Sequence, residues 1–434
     1  MKNLSLNNSI NEITYYKILL ILISASIILY PSGPFLPDLL LTLTVLIFFF
    51  ILLKKNQFSF LNNRIIYFFL LFYIYIVSRS IFSIEKFISL QSTLFYFRFL
   101  IFSFSISYLF LNYKKTEKVL LNIFLIILLF VIADSYLQYF YLKDIFGFTR
   151  PDTRLSGPFN DELIVGSYIS KTIPLFFAIY FYSNTKINIY YLMLILLSYL
   201  LVFISGERTS FFYMSFFVII FFIFYKNKNK NKYFFSFLII SILLFSLFLK
   251  NQTVKDRMFK HTFCTMNIKI FQLDCKKFAD EKTLQDNRVI IFSASHEGHY
   301  LSALKMFKDK FIFGVGPKMF RFHCDDIKYK NAYSCTTHPH NTLLQILSEL
   351  GIIGLIFYII VLVWLFKNFY LTVFKNKSLP YNQKFSFVLL NVCLFQFLFF
   401  LLPSGQFFNN YLSFINYLPL GLYLVYYGLV FKNE

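Results

Sequence analysis

Apolar runs long enough to cross a bilayer recur along this chain, and a water-soluble fold has nowhere to put them. A membrane helix needs roughly 20 consecutive apolar residues, with shorter and longer exceptions. About twelve stretches qualify: 16–30, 35–53, 65–81, 88–111, 119–142, 163–182, 187–204, 209–225, 233–249, 342–366, 385–402 and 411–430. Of 434 residues only 15% are charged, against roughly 25% in an ordinary soluble domain. This excludes a soluble enzyme, a disordered chain and a collagen-like polymer, and leaves an all-α polytopic membrane protein. The first run reads as a span and not as a secretory signal, since no A-x-A-like site follows it. Pro174 falls inside a run, where a neighbouring helix must satisfy the carbonyl it frees.

Charge sets the expected direction. The net charge is +21, from 42 Lys and Arg against 21 Asp and Glu. Basic residues sit between the apolar runs, without the aromatic interleaving of a nucleic-acid groove, so nucleic acid is not an expected partner. Lys54, Lys55, Lys114, Lys115, Lys118, Lys186, the alternation from Lys226 to Lys232, Lys375, Lys377 and Lys432 all fall on one side. The positive-inside rule makes that side cytoplasmic, with both termini there. The short opposite loops instead hold Arg79, Arg150, Arg154 and Arg208. Guanidinium is a planar fork suited to phosphate, where ammonium is a point charge.

One outward loop stands apart. It divides the chain into spans at 1–249, a loop subdomain at 250–341 between the ninth and tenth spans, and spans at 342–434. Such a length without structure of its own is uncommon. Val289, Ile290, Phe292, Leu301, Leu304 and Phe307 have helical spacing, predicting a helix over 286–310 that Gly314, Gly316 and Pro317 end. Cys393 lies in a span, while Cys264, Cys275, Cys324 and Cys335 all lie in the loop. An even count in one outward segment suggests disulfides, with three pairings open. Cys264–Cys275 and Cys324–Cys335 are favoured because each closes a short loop, for roughly 2–3 kcal/mol apiece. The spacings fit no common zinc site.

The strongest local signal is His338-Pro339-His340-Asn341, followed by a span containing Glu349, Gly351 and Gly354. Asn341 is placed to cap that helix. An imidazole at its mouth is suited to general-base work, and a Glu within a span is a functional candidate by default. The glycines allow a neighbouring helix to approach the backbone. The pattern alone does not separate His338 from His340. His296-Glu297-Gly298-His299 is one residue short of the H-E-x-x-H zinc motif, and Gly314-Val315-Gly316-Pro317 is no dinucleotide fingerprint. Asp134 and Arg98, inside spans, suggest a buried pair and with it a second class, a transporter of a lipid-linked glycan.

His340-Asn341, nine residues, then Gly351-x-x-Gly354 resembles the signature of the O-antigen ligase family, which groups O-antigen ligases, O-antigen polymerases and protein O-oligosaccharyltransferases. Ser205-Gly206-Glu207-Arg208-Thr209-Ser210 is similar to its Arg-Ser/Thr motif before the eighth span. Arg154-Leu155-Ser156-Gly157-Pro158-Phe159 is similar to its Arg-x-x-Gly-x-Phe stretch. Asp286-Asn287-Arg288 stands where the family places an Arg at the head of the loop helix. Four residues on, where ligases often have Leu, this chain has Phe292. The resemblance implies a GT-C type glycosyltransferase of the bacterial inner membrane with its active site on the periplasmic face. Its donor would be a glycan on undecaprenyl pyrophosphate, and its acceptor lipid A-core or, in a polymerase, another repeat unit. His340, Arg208 and Arg288 take the catalytic roles, and Arg154, His338, Asn341, Glu349, Gly351 and Gly354 line the substrate. No metal or cofactor is required if Arg serves as the electrophile.

Overall fold

In lipid every backbone N–H and C=O must be satisfied within the segment, so the apolar runs can only be helices. The computed structural model describes residues 2–150, 154–268, 274–279, 283–284 and 288–431, with side chains from 13 to 428. Each of the twelve runs is helical: α1 (Lys2–Ile28), α2 (Phe35–Lys54), α3 (Arg64–Ile81), α4 (Lys86–Thr93) with α5 (Phe97–Asn112), α6 (Thr116–Tyr141), α7 (Val165–Ser183), α8 (Ile189–Ile204), α9 (Arg208–Phe224) and α10 (Lys230–Phe248). After the large loop come α15 (Thr342–Tyr370), α16 (Tyr381–Leu398) and α17 (Asn410–Phe431). Among the described residues, six helical stretches are long and apolar enough to cross a membrane by length and composition, and three shorter apolar helices accompany them.

The fourth run differs from expectation in being two helices. Ser80, Ser89 and Thr93 exchange hydroxyl hydrogen bonds at 2.8 Å, Thr93 also bonds back to the Ser89 carbonyl, and Ser89 donates to Pro317 O. Hydroxyls that compete for backbone carbonyls bend a helix, and here the chain turns between Thr93 and Phe97. Polar side chains also hold α7 against α16. Gln396 donates to the Ser170 carbonyl at 2.8 Å, which is the group Pro174 leaves without its helical partner. Ser386 donates to Ala178 O at 2.6 Å further along the same seam. The buried pair expected between Asp134 and Arg98 does not form. Arg98 instead meets Asp38 at 2.6 Å and Thr42 at 3.0 Å, while Asp134 accepts the Ile145 N–H.

The large loop forms short helices α11 (Gln252–Lys255) and α12 (His261–Thr265) around a wider turn, then α13 (Ala294–Asp309) and α14 (Phe320–His323). The loop helix thus begins at Ala294, not at 286, and Asp286 and Asn287 lie outside the described residues. Phe292 sits at φ +63° and Ser293 caps the helix by accepting the His296 N–H, so apolar spacing upstream of Ser293 belongs to a loop. Disulfides join Cys264 to Cys275 and Cys324 to Cys335.

α15 carries the loop subdomain through a break. Gly351 has φ +64° and ψ −159°, a conformation open essentially to Gly alone. There the Val315 and Gly316 N–H groups reach Ser348 and Glu349 carbonyls at 2.9 and 2.8 Å, and Ile352 N–H reaches Phe311 O at 2.9 Å. The close approach expected at the Gly-x-x-Gly signature is therefore made by a loop, not a helix. A Cβ on Gly351 would lie 2.4 Å from the Ile312 carbonyl oxygen. Gly351→Ala is expected to cost at least ~2 kcal/mol from the backbone conformation alone. Thermal unfolding in micelles checks this, and an unchanged Tm counts against the break as a fixed element.

Candidate active site

Two segments far apart in the chain bring four imidazoles together. His338 and His340 come from the loop entering α15, and His296 and His299 from the first turns of α13. Ring centroids lie 4.1 Å apart for His338–His340, 5.5 Å for His299–His340 and 5.8 Å for His296–His340. The i, i+3 spacing of His296 and His299 puts both on one face of the helix. The chain has only six His, so four at one point is the main chemical feature of the subdomain.

The surroundings distinguish His338 from His340. His338 Nε2 lies 3.2 Å from the Ser404 carbonyl and must donate to it, and Nδ1 lies 2.9 Å from the Thr337 hydroxyl. Both nitrogens are engaged, so His338 holds position. His340 has one long contact, Nε2 to Thr336 Oγ1 at 3.4 Å, and its backbone adopts φ +53° while its carbonyl accepts the Ser404 N–H. A non-glycine residue held there is uncommon, and such strain clusters where geometry is functional. Burial pushes the His340 imidazole below its ordinary value. Burial, then the neighbouring imidazoles, push His296 and His299 down to about 4 and His338 down to about 3. All four rings are neutral at pH 7.

Asn341 is the N-cap of α15, accepting Leu344 N–H at 3.0 Å and donating to Phe400 O at 2.7 Å. Its job is to fix the angle at which His340 leaves the helix. Glu349 is fully buried and accepts from Gln345 Nε2 at 3.0 Å and the Phe320 N–H. It secures the α14 loop to α15 and has no part in the imidazole group. Gly354 lines an apolar cavity between helices.

Guanidinium groups gather on the His296 side. Arg208, the first residue of α9, donates to Thr262 Oγ1 at 3.0 Å and is close enough to depress His296 and His261. Arg154 donates to Leu163 O at 2.6 Å and lies 3.8 Å from Glu207. Glu207 in turn accepts the Gly166 and Ser167 N–H groups at the start of α7, at 2.7 and 3.0 Å, so it is committed to a helix terminus. Arg257 joins them, its Nε donating to Gly206 O at 3.3 Å. Burial, then Arg208 and Arg154, push Arg257 down to about 10. Like charges gathered this way, with one committed carboxylate among them, form a site for an anion.

Residues 192–359 match the family model described as O-antigen ligase. Over that stretch the chain is similar to the O-antigen ligase family. The match runs from α8 into α15 and contains Arg208, Arg257, Arg288 and all four clustered His, which supports a glycosyltransferase of the ligase or polymerase type. No curated protein matches the chain.

Within residues 192–359, one expected catalytic residue is placed differently. Arg288 precedes α13 and makes a two-pronged pair with Glu297, at 3.0 and 2.6 Å, its side chain 61% exposed. Glu297 also accepts the Ile291 N–H, so this pair braces the turn that presents His296. Arg208 reaches Thr262, and its charge acts weakly on His296, whereas Arg288 is held by Glu297. Arg257, His296 and His299 were absent from the sequence-derived site. Arg257 carried the one available signal, a guanidinium in an outward loop, where the planar fork suits phosphate. Among the described residues no group of three or more His, Cys, Asp or Glu is placed to hold a metal ion.

Proposed function

We propose that this protein transfers a glycan from undecaprenyl pyrophosphate to an acceptor hydroxyl at the periplasmic face of a bacterial inner membrane, without a metal and with inversion. The observation that carries this is the half-buried His340 imidazole, with one long hydrogen bond, in a chain that also gathers Arg154, Arg208 and Arg257. The acceptor hydroxyl gives its proton to His340 as its oxygen bonds to the anomeric carbon. The bond from that carbon to the phosphate oxygen breaks, and its electron pair leaves on the pyrophosphate. Arg208 and Arg257, with Arg154 behind them, stabilise that charge as it develops. Attack from the face opposite the leaving group inverts the centre.

The membrane part suits a polyprenyl carrier. A cavity of about 840 Å³ lies among α3, α15, α16 and α17, lined by Phe68, Phe72, Phe357, Trp364 and Phe397. Its lining reaches Ile346 and Phe407, one to two turns along the chain from His340, which suits a tail lying below its own pyrophosphate. The acceptor is lipid A-core in a ligase or a repeat unit in a polymerase. Loss of a ligase leaves polymerised glycan on the carrier, and loss of a polymerase leaves single repeats on the acceptor.

The test is transfer by the purified chain in nanodiscs, with donor and acceptor on one face, followed across pH. Because burial lowers the His340 pKa, the competent neutral base persists as pH falls through 7. The acid limb of kcat/KM is expected below pH ~6.5, the free imidazole value. A limb above that value would remove His340 from the base role, and flipping of the donor with no product would favour transport.

A further inference from the structure

A polar cavity of about 480 Å³ opens beside the imidazole group, bounded by Ser295 and His299 of α13 and by the loop carrying Asp325, Asn331, Tyr333 and Thr336. Two of its walls are also walls of His340: the His299 ring lies 5.5 Å from that of His340, and Thr336 Oγ1 lies 3.4 Å from its Nε2. The cavity therefore lies one side chain away from His340.

Its frame is fixed. The Cys324–Cys335 bridge closes the loop, and Asn331 Nδ2 donates to Gly298 O and Ser302 Oγ, both at 2.8 Å. Tyr333 N–H donates to Asn331 Oδ1 at 2.8 Å. Only glycine at 298 lets this loop lie on the helix, since a Cβ there would stand 2.6 Å from Tyr333 Cβ. Rigid walls carrying hydroxyls, an amide, a carboxylate and an aromatic ring suit a polyhydroxyl ligand. Asp325 is paired with Lys330 at 2.5 Å, so the lining has little net charge to offer an anion. His299 Nδ1 is buried and without a hydrogen-bond partner.

We infer that this cavity is the acceptor subsite and takes a neutral sugar residue, so that acceptor enters past His299, donor pyrophosphate lies past His296, and His340 stands between them. The inference rests on the transferase reading above and adds where the acceptor binds. On this arrangement Asp325 binds sugar hydroxyls, the Tyr333 ring covers a sugar face, and His299 positions the acceptor without taking the reacting proton.

The experiment compares Asp325→Ala, Tyr333→Ala and Tyr333→Phe in the full chain. Loss of hydrogen bonds to a charged group predicts an acceptor KM raised roughly tenfold in Asp325→Ala, with donor KM and kcat within about twofold. Tyr333→Ala raises acceptor KM similarly, and Tyr333→Phe, which keeps the ring, restores it. An unchanged acceptor KM in both alanine variants, or a rise in donor KM instead, overturns the assignment. Saturation-transfer NMR with methyl glycosides of glucose, galactose, mannose and N-acetylglucosamine separates this from the reaction itself. Binding in wild type that Asp325→Ala abolishes upholds the subsite even in a preparation that transfers nothing, and no binding of any of the four refutes it.

Discussion

His340→Ala lowers kcat for glycan transfer by roughly 10²–10⁴-fold, the usual contribution of a positioned general base, with donor KM little changed. The effect should exceed that of His338→Ala, although the two rings are 4.1 Å apart. His338 spends both nitrogens on Thr337 and Ser404, so its loss disturbs the loop that aims His340 without removing the proton acceptor. His340→Gln keeps a polar side chain of similar reach but cannot accept a proton at neutral pH, and it is expected to be as poor as alanine. Equal losses at positions 338 and 340, with normal folding of both variants, would mean that the pair acts as one structural unit.

Arg257→Ala is the second large effect. Removing one donor aimed at developing charge costs roughly 10²–10³ in kcat in well-studied sites. Arg257 is set on the loop that follows α10 yet reaches the Gly206 carbonyl beside Arg208. Lysine keeps the charge and loses the planar fork, so Arg257→Lys should recover part of the rate. Arg288→Ala should act differently. Its partner Glu297 also holds the Ile291 N–H, so the change loosens the turn carrying His296 and lowers stability along with rate. Product formation and thermal unfolding measured on the same preparations separate the two cases: Arg257→Ala at full Tm and low kcat, Arg288→Ala with both reduced. A fully active Arg257→Ala would restrict the anion site to Arg154 and Arg208.

The helical bundle was legible because span length and hydrophobicity do not depend on tertiary detail. The Ser170 carbonyl that Pro174 frees, and its rescue from a neighbouring helix, followed from backbone chemistry alone; that the rescuer is Gln396 did not. The start of the loop helix was hidden because Val289, Ile290 and Phe292 continue its apolar spacing, and only the left-handed Phe292 and the Ser293 cap reveal the stop. His296 and His299 were visible as a failed zinc motif. Their service to His340 depends on contacts made about 40 residues along the chain, which no local pattern contains. Arg98 found Asp38 and not Asp134 for the same reason, since both carboxylates lie in apolar runs and only packing selects between them. Gly351 announced a close approach but not its partner, the loop at Ile312.

If an imidazole base and a guanidinium group act on the two ends of one breaking bond, both roles show in single-turnover transfer from an undecaprenyl-pyrophosphate-linked glycan, in the presence of EDTA, with the product anomer read by NMR. Wild type should give product of inverted anomeric configuration, and His340→Ala and Arg257→Ala should each be slower by about two orders of magnitude or more. Retained configuration, or transfer by His340→Ala at the wild-type rate, would contradict that pairing of roles.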